Sequence, residues 1–477
     1  WIELTALGTY LALLLWIGVR SARQVKTSVD FALAGRNVGF WVILATTAAT
    51  MVGGGSTVGS VAKAATHGLA FLVATFGLHL QLMFTGLFVA PRLRDLQLIT
   101  VGDFIEEKYG RLARGLAVLN CAVFLIGALA AQLVAMGKIT ESLLGIDYEW
   151  ALVIGSTVTV FYATVGGIRA IIKTDVLQFV ILFVGITTAA AILYAEHGGF
   201  AGFHEKLGDA PFRLTNEEFS AKAVISLFVA FLFGEMFTPP YATRSFIARN
   251  RSHARWGIAG GGAVLFLFLP ISIFVLSLSA NMDPEIVAAM TKDKQNAFSM
   301  LIRVTFHPVF AGVMIAALVA AVMSSADSCL SCGSTVVMED IFRRYFRRDA
   351  SDESLLRVAR VSTVVGGVAA TLFAWRWPDI IDLLEFVYDF WAPGMVLPFI
   401  VGVFWYKKER APAVVASMVC GLAATVAWQV IGYKTGSKPW GFGAAIGGLA
   451  IAVLSYLVAW PIVRLSRRGA ESTTTER

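Results

Sequence analysis

Long apolar segments recur from one end of this 477-residue sequence to the other, and they constrain the fold more than any other feature. A helix needs about 20 apolar residues to cross the hydrocarbon core of a bilayer. Hydrophobic residues make up 57% of the chain and charged residues only 15%, whereas the charged share of a soluble domain is about 25%. Because no long polar stretch interrupts the apolar segments, we predict a single all-α transmembrane domain over residues 1–477.

The basic residues between the apolar segments predict the topology. Lys and Arg are enriched in cytoplasmic loops, and here they recur in every second loop, Arg244 among them. Arg20, Arg23 and Lys26 follow the first segment, so we expect the N-terminus outside, the C-terminus in the cytoplasm and the chain in a bacterial inner membrane. The net charge of +7 is therefore an orientation signal, and no nucleic-acid partner is expected. We predict about thirteen spans, at residues 2–20, 40–66, 69–91, 113–143, 148–164, 170–194, 220–243, 255–279, 307–338, 357–375, 381–406, 411–432 and 441–464.

Ten of these spans form two halves of opposite topology, which is the plan of an inverted repeat. The first span of each half contains helix-breaking residues: Gly53, Gly54 and Gly55 in one, and Gly234 with Pro239 and Pro240 in the other. Transporters with inverted repeats bind their solute at such interruptions near the bilayer midplane. The alternative is packing glycines and an ordinary proline kink. The predicted parts are an additional helix (2–20), the two five-helix repeats (40–194 and 220–406), two C-terminal helices (411–464) and a cytoplasmic tail (465–477).

Two aspartates and a stripe of serines lie within predicted spans. Asp175 and Asp327 are costly in a membrane and therefore indicate function. On a helix, Ala321, Ser324, Ser325 and Ser328 fall at i, i+3, i+4 and i+7, so they share one face. Hydroxyl and carbonyl oxygens with little charge suit a hard monovalent cation. The alternative is that the serines are small packing residues.

Three segments of the chain resemble the sodium:solute symporter family. They are Phe31–Arg36, Tyr162–Asp175 and Ala320–Ser325. The resemblance covers nearly the whole chain and implies a leucine-transporter-type fold with flanking helices. It also implies a sodium site made of the carbonyl groups of Ala49, Val52 and Ala321 and the hydroxyl groups of Ser324 and Ser325.

The resemblance implies a second cation or coupling site in some members of the family, here near Asp175, Asp327 and Ser328, with Ser324 close by. Asp327 replaces a serine of the sialic acid branch, so a second sodium ion and a proton on a carboxylate both remain open. The motifs around residues 49–55 and 324–328 look most like the choline transporter branch. That branch encloses its ligand in aromatic side chains, but Met51, Leu78, Ala128 and Thr238 stand at those positions, so choline is not expected.

Polar and aromatic residues beside the two breaks are the candidates for binding the solute. The N–H groups of a broken helix favour a carboxylate, while Glu235 favours an amine, so we expect a small carboxylate, amino acid or other zwitterion. Packing roles for Phe237 and Tyr241, a structural role for His79, and interfacial or vestibular positions for Tyr388, Asp389 and Trp391 are the alternatives. The candidates are Met51, Gly53, Ser56, Thr57, His79, Gln81, Gln132, Glu235, Phe237, Thr238 and Tyr241.

These observations predict a secondary active transporter that couples sodium to a small organic solute by alternating access. Its expected partners are that solute, sodium and membrane lipid, without a protein partner. Proton coupling through Asp175 or Asp327 and a transporter-like solute sensor are the alternatives. An enzyme is not expected, because the sequence has no nucleophile–base set, no HExxH motif and no nucleotide-binding loop.

Overall fold

The computed structural model describes residues 2–22, 27–216 and 219–475. Arg23, Lys26 and the last two residues of the predicted tail lie outside the described residues. The described chain is helical, and its only β-type pairing is an isolated bridge between Val38 and Ala248. This is the all-α membrane architecture that the apolar segments predict, because helices satisfy every backbone polar group within lipid.

The helices of the first half begin with α1, which precedes the predicted repeats. In chain order they are α1 (Ile2–Ala22), α2 (Ser28–Leu33), α3 (Phe40–Met51), α4 (Ser60–His67), α5 (Leu69–Phe84), α6 (Ala90–Asp95), α7 (Val101–Tyr109), α8 (Arg111–Leu144), α9 (Tyr148–Glu196) and α10 (Gly199–Leu207). The second half and the C-terminal pair follow. They are α11 (Ala221–Gly234), α12 (Pro239–Ile247), α13 (Arg251–Ala280), α14 (Pro284–Lys292), α15 (Ala297–Thr305), α16 (Pro308–Thr335), α17 (Asp352–Arg376), α18 (Ile380–Trp391), α19 (Leu397–Phe404), α20 (Ala411–Thr435) and α21 (Ala444–Thr475).

The number of spans depends on how bent helices are counted. Ten helical segments of the described chain are long and apolar enough to cross a membrane, and α3 with α4 makes an eleventh. Two further predicted spans are helical but are not among these segments: α1 has a shorter apolar stretch at Thr5–Gly18, and the first arm of α9 ends at a kink at Gly167. The count of thirteen therefore stays a prediction.

The first break separates α3 from α4, and the two helices meet at 60°. Val52 leaves the helical conformation at the end of α3, and the π-helical segment Gly55–Gly59 leads into α4. Glycine is needed here for close approach, because a Cβ on Gly53 would lie only 2.5 Å from Oε1 of Gln132. The glycine triplet thus interrupts the helix where the sequence predicts.

The second break separates α11 from α12 at residues 235–238. Phe237 has a positive φ of 64°, which is uncommon for a residue with a side chain. Its ring packs against Phe399, with centroids 5.0 Å apart. Nε1 of Trp391 donates to the carbonyl of Met236 at 2.8 Å. The C-terminal end of α18 therefore supports this break, which Pro239 and Pro240 follow as the first residues of α12.

The long helix α16 lies at the centre of the domain and packs against α1, α3, α8 and α9. Its residues from Ala316 to Cys332 are all buried. Helix α13 packs against both α3 and α5. The first break is therefore enclosed by helices, and the serine stripe of α16 faces protein rather than lipid.

The position of Arg244 corrects one of the predicted loop assignments. We expected it in a cytoplasmic loop, but it lies in α12, within the apolar segment Ala221–Ile247, and its side chain is fully buried. A positive charge in that position needs a partner inside the protein. Asp175 of α9 supplies one.

Candidate functional site

Helix α16 contacts the end of α3 through the predicted sodium-binding residues. The hydroxyl group of Ser324 lies 2.8 Å from the carbonyl oxygen of Ala49 and 2.9 Å from that of Ala321. All three residues are fully buried. Three of the five predicted ligands, Ala49, Ala321 and Ser324, thus meet near the C-terminal end of α3, beside the first break.

The other two predicted ligands lie beside this group. The Ser325 hydroxyl donates to the carbonyl of Thr50 at 2.7 Å, rather than to Ala49 or Val52. Sequence reasoning missed Thr50, although successive serines on one helix reach successive carbonyls of a helix packed against it. Val52 is the residue at which α3 ends. The hydroxyl and carbonyl oxygens here are the donor types that a hard monovalent cation takes.

Asp175 and Ser328 meet through Arg244. Nη2 of Arg244 lies 3.2 Å from Oδ2 of Asp175 and 2.7 Å from the Ser328 hydroxyl. The same nitrogen lies 2.6 Å from the hydroxyl of Thr50 and 3.2 Å from that of Thr46, which in turn donates to Asp175. The predicted second site therefore contains a guanidinium group, which the sequence pattern did not reveal.

Asp327, the third member of the predicted second site, does not join this cluster. It is fully buried, and neither of its carboxyl oxygens has a hydrogen-bond partner among the described residues. Oδ1 of Asp175 also lacks a partner within the described chain. The structure thus brings together two of the three predicted residues.

A small cavity lies between the two breaks. It measures about 30 Å³ for the centre of a water-sized sphere, which is room for about two water molecules. Five candidates for binding the solute line it: Met51, Gly53, Ser56, Gln132 and Glu235. The remaining lining residues are Thr50, Gly55, Ser60, Leu78, Phe231, Ser325, Ile381, Leu384 and Tyr388.

Helix α18 supplies a wall of the cavity that sequence reasoning missed. Ile381, Leu384 and Tyr388 fall at i, i+3 and i+7 and so share one face. We expected Tyr388 to be interfacial or in an outer vestibule, but it is 2% exposed and lies beside Glu235. Trp391 is likewise buried. The helical spacing was the available signal, but it does not tell which neighbour the face contacts.

Glu235 accepts hydrogen bonds from two tyrosines. The hydroxyl of Tyr241 is 2.8 Å from Oε2, and the hydroxyl of Tyr388 donates to Oε1. Tyr241 comes from α12 and Tyr388 from α18, so phenols from two different helices hold the two oxygens of the carboxyl group. This carboxyl group is the acidic group of the central cavity.

Gln132 caps the first break. Its Oε1 accepts a hydrogen bond from the N–H group of Gly54 at 2.7 Å. The N–H groups at the start of a helix segment carry partial positive charge. The prediction of a substrate carboxylate depends on free N–H groups at this break. One of them, the N–H of Gly54, is already paired with the amide oxygen of Gln132.

The other candidates lie outside the central cavity. Thr57 bonds the carbonyl of Gly53 at 2.8 Å, and Phe237 is a packing residue. Nδ1 of His79 is 3.0 Å from the carbonyl of Thr75, and this histidine lines a separate, smaller cavity. The side chains of Gln81 and Thr238 are buried without a hydrogen-bond partner among the described residues.

Comparison with known proteins identifies the family. The model of the sodium:solute symporter family matches residues 31–421. The chain belongs to this family. The osmoregulated proline transporter of Bacillus subtilis is 25% identical to this protein, and the match covers 98% of this chain and 96% of the relative. The sodium/proline symporter of Escherichia coli is 26% identical over 97% and 94% of the two chains. The predicted family is confirmed, and its members include multi-pass membrane transporters.

A solved structure shows the same fold. It is the substrate-bound, outward-open state of a sodium-coupled sialic acid symporter. It superposes with a TM-score of 0.80 at 21% identity, covering 97% of this chain and 98% of the other. The predicted leucine-transporter-type architecture of five-plus-five inverted repeats with flanking helices is therefore confirmed. The boundaries of the repeats and the roles of the site residues stay predictions.

Proposed function

We propose that this member of the sodium:solute symporter family couples inward movement of one sodium ion to uptake of a small amino acid. The observation that carries the proposal is the contact of Ser324 on α16 with the Ala49 carbonyl on α3, 2.8 Å apart and fully buried. It joins a candidate cation site directly to the broken helix that lines the central cavity. The solute class is chosen from the cavity, and proline is the first compound to test because two relatives carry it in their names.

The sodium ligands are the carbonyl groups of Ala49, Val52 and Ala321 and the hydroxyl groups of Ser324 and Ser325. In the structure the two hydroxyls hydrogen-bond to carbonyls of Ala49, Thr50 and Ala321. A hydroxyl that donates to a carbonyl keeps its lone pairs. A sodium ion entering here would gather the carbonyl oxygens and the hydroxyl lone pairs around itself. No carboxylate is needed, which suits a monovalent ion better than calcium.

The cavity suits a zwitterion. Glu235 offers a carboxylate to an ammonium group, and the phenols of Tyr241 and Tyr388 fix its orientation. The N–H group of Gly54, at the first break ahead of α4, is paired with the side-chain oxygen of Gln132, which also lines the cavity. A substrate carboxylate would displace or join that amide. The cavity of about 30 Å³ must widen to admit such a solute, so binding includes a movement of the lining helices.

The coupling is thermodynamic and reciprocal: sodium favours the conformation that binds the solute, and the solute favours sodium binding. A tenfold sodium gradient supplies about 1.4 kcal/mol, and one charge crossing 100 mV supplies about 2.3 kcal/mol more. Rocking of the two repeats about the cavity would alternate access. The basic loops support an inner-membrane orientation with the N-terminus outside and the C-terminus in the cytoplasm.

The test is sodium-dependent uptake of labelled proline into proteoliposomes by Ser324→Ala. We expect its half-saturating sodium concentration to rise about tenfold, because a charged contact is worth about 1.5–3 kcal/mol. Ser334→Ala is the matched control, since Ser334 is buried on the same helix and bonds only its own helix, at Ser331. Unchanged sodium affinity in Ser324→Ala would refute this ion site.

The same assay separates the alternatives. Replacing sodium with N-methylglucamine at fixed pH should abolish uptake, whereas a proton symporter using Asp175 or Asp327 would keep it. A solute sensor would bind proline in a thermal-shift assay without transporting it. Binding of a sugar or a dicarboxylate instead of amino acids would leave the sodium site intact and overturn the solute class.

A further inference from the structure

One nitrogen of Arg244 is surrounded by four oxygen atoms. Nη2 lies 2.6 Å from the Thr50 hydroxyl, 2.7 Å from the Ser328 hydroxyl, and 3.2 Å from both Thr46 Oγ1 and Asp175 Oδ2. A terminal guanidinium nitrogen carries two hydrogens. It therefore cannot donate a separate hydrogen bond to each of four acceptors. The arrangement is that of a cation coordinated by four oxygens, and we call these four groups the oxygen cage.

The oxygen cage has the composition of a sodium site. It contains one carboxylate oxygen and three hydroxyl oxygens, all from side chains of buried residues. Hard oxygen donors of this kind hold small cations. The nitrogen of Arg244 stands at their centre, so a sodium ion cannot bind there unless the guanidinium group leaves. The cage therefore conflicts with a second sodium at Asp175 and Ser328.

The second terminal nitrogen of the guanidinium group is also hydrogen-bonded. Nη1 of Arg244 donates to the carbonyl of Pro240 at 3.1 Å, within the first turn of α12. The side chains of Arg244 and Asp175 both have 0% exposure. Removing the charge of either partner would leave the other unpaired in the protein interior, which is unfavourable. Departure of the guanidinium group from the cage is correspondingly disfavoured.

The oxygen cage and Arg244 together join four helices of the transporter. Thr46 and Thr50 belong to α3, Asp175 to α9, Ser328 to α16 and Arg244 to α12. Helix α12 follows the break that carries Glu235 of the central cavity. The guanidinium group of Arg244 thus connects the second broken helix to α3 and α16, the two helices of the proposed sodium site.

We propose that Arg244 permanently fills the second cation site of this symporter as a tethered cation, so that the protein binds a single sodium ion. The inference rests on the proposed function for the first sodium only. It assigns Asp175 and Ser328 to the arginine rather than to a coupling ion. It also predicts that loss of the guanidinium group exposes a latent sodium site.

The experiment counts radioactive sodium ions bound at saturation to the purified full-length protein. We expect one per protein in the unaltered chain and two in Arg244→Gln. The added ion should disappear in the double variant Asp175→Asn with Arg244→Gln. Arg249→Gln, an exposed arginine two residues beyond α12, is the matched control and should still bind one.

A second variant keeps the test decisive if Arg244→Gln fails to fold. Ser328→Ala removes one cage oxygen but leaves the ion pair, so we expect the sodium count and affinity to stay unchanged. Two ions in the unaltered protein, or a loss of sodium in Ser328→Ala, would overturn the proposal. Folded Arg244→Gln without an added ion would overturn it too.

The two proposals fail separately in this experiment. If the unaltered protein binds no sodium, the proposed function is refuted. A sodium ion that then appears in Arg244→Gln and depends on Asp175 would still support the tethered cation. If no such ion appears, both proposals fall.

Discussion

Gly53 contacts both the proposed sodium site and the central cavity, and a single methyl group there should disturb both. A Cβ at Gly53 would lie 2.5 Å from Oε1 of Gln132, 2.5 Å from the Ser325 hydroxyl and 3.0 Å from the Ser325 Cβ. Favourable non-bonded contacts between carbon atoms occur at about 3.5–4.0 Å. Both side chains must therefore move by about 1 Å in Gly53→Ala. The displaced Ser325 hydroxyl is a proposed sodium ligand, and the displaced Gln132 caps the first break.

The magnitude follows from the kind of contact. Extra methyl groups in packed interiors cost about 1–3 kcal/mol, and 1.4 kcal/mol corresponds to about tenfold in affinity. We expect the sodium concentration for half-maximal thermal stabilisation of purified Gly53→Ala to rise about tenfold, with a similar rise for uptake. Gly39→Ala is the control, because Gly39 immediately precedes α3 and a Cβ there has no heavy atom within 4 Å among the neighbours.

One result would refute this reasoning. If Gly53→Ala is folded and keeps the sodium affinity of Gly39→Ala, then the Ser325 hydroxyl and the first break do not form part of the ion site. A variant with lowered thermal stability but unchanged sodium affinity would assign the glycine to packing alone.

Two further predictions concern charged groups, one at the central cavity and one on helix α7. Glu235→Gln should raise the KM for proline uptake at least tenfold, because a hydrogen bond to a charged group contributes about 1.5–3 kcal/mol. The control is Glu285→Gln, at an exposed position, which should leave the KM unchanged. An unaltered KM in Glu235→Gln would show that the ammonium group of the substrate binds elsewhere. Burial opposes ionisation of Glu106 on α7, but Arg114 and Arg344 outweigh it and hold the pKa of this carboxyl below its usual value of 4.5. A depressed pKa stabilises the fold above the unfolded-state pKa, and this stabilisation is lost as the pH falls through the folded-state pKa. Glu106→Gln should therefore lower the melting temperature at pH 7, and this difference should vanish once the pH falls below the folded-state pKa of Glu106. Equal melting temperatures at pH 7 would show that the ion pairs of Glu106 contribute nothing.

Much of the fold was predictable because it depends on local sequence. Apolar length specifies spans, and the glycine triplet and the paired prolines specify the two breaks at Val52–Gly54 and at residues 235–238. Helical periodicity also places Ser324 and Ser325 on the face of α16 that meets α3. These features follow from properties of single segments in lipid, which require no knowledge of the neighbouring helices.

The pairing of side chains across helices was not predictable from the sequence. Arg244 looked like one more cytoplasmic charge, because its position six residues after the break gives no sign of a carboxylate on α9. Tyr388 looked interfacial, because the stripe on α18 does not name the helix it faces. Asp175 and Glu235 were recognisable as costly charges, but their partners come from segments 69 and 153 residues away.

Sequence alone therefore determined that this chain is a helical membrane transporter of the sodium:solute symporter family with two interrupted helices and a serine-lined face. The tertiary structure decided which oxygens surround which cation. The reason is physical: a span and its breaks minimise the free energy of one segment in the bilayer, whereas a buried charge is stabilised only by groups that packing brings within about 3 Å. In this protein, sequence reasoning therefore anticipated the carbonyls of Ala49 and Ala321 as ligands. It did not anticipate the oxygen cage around Arg244.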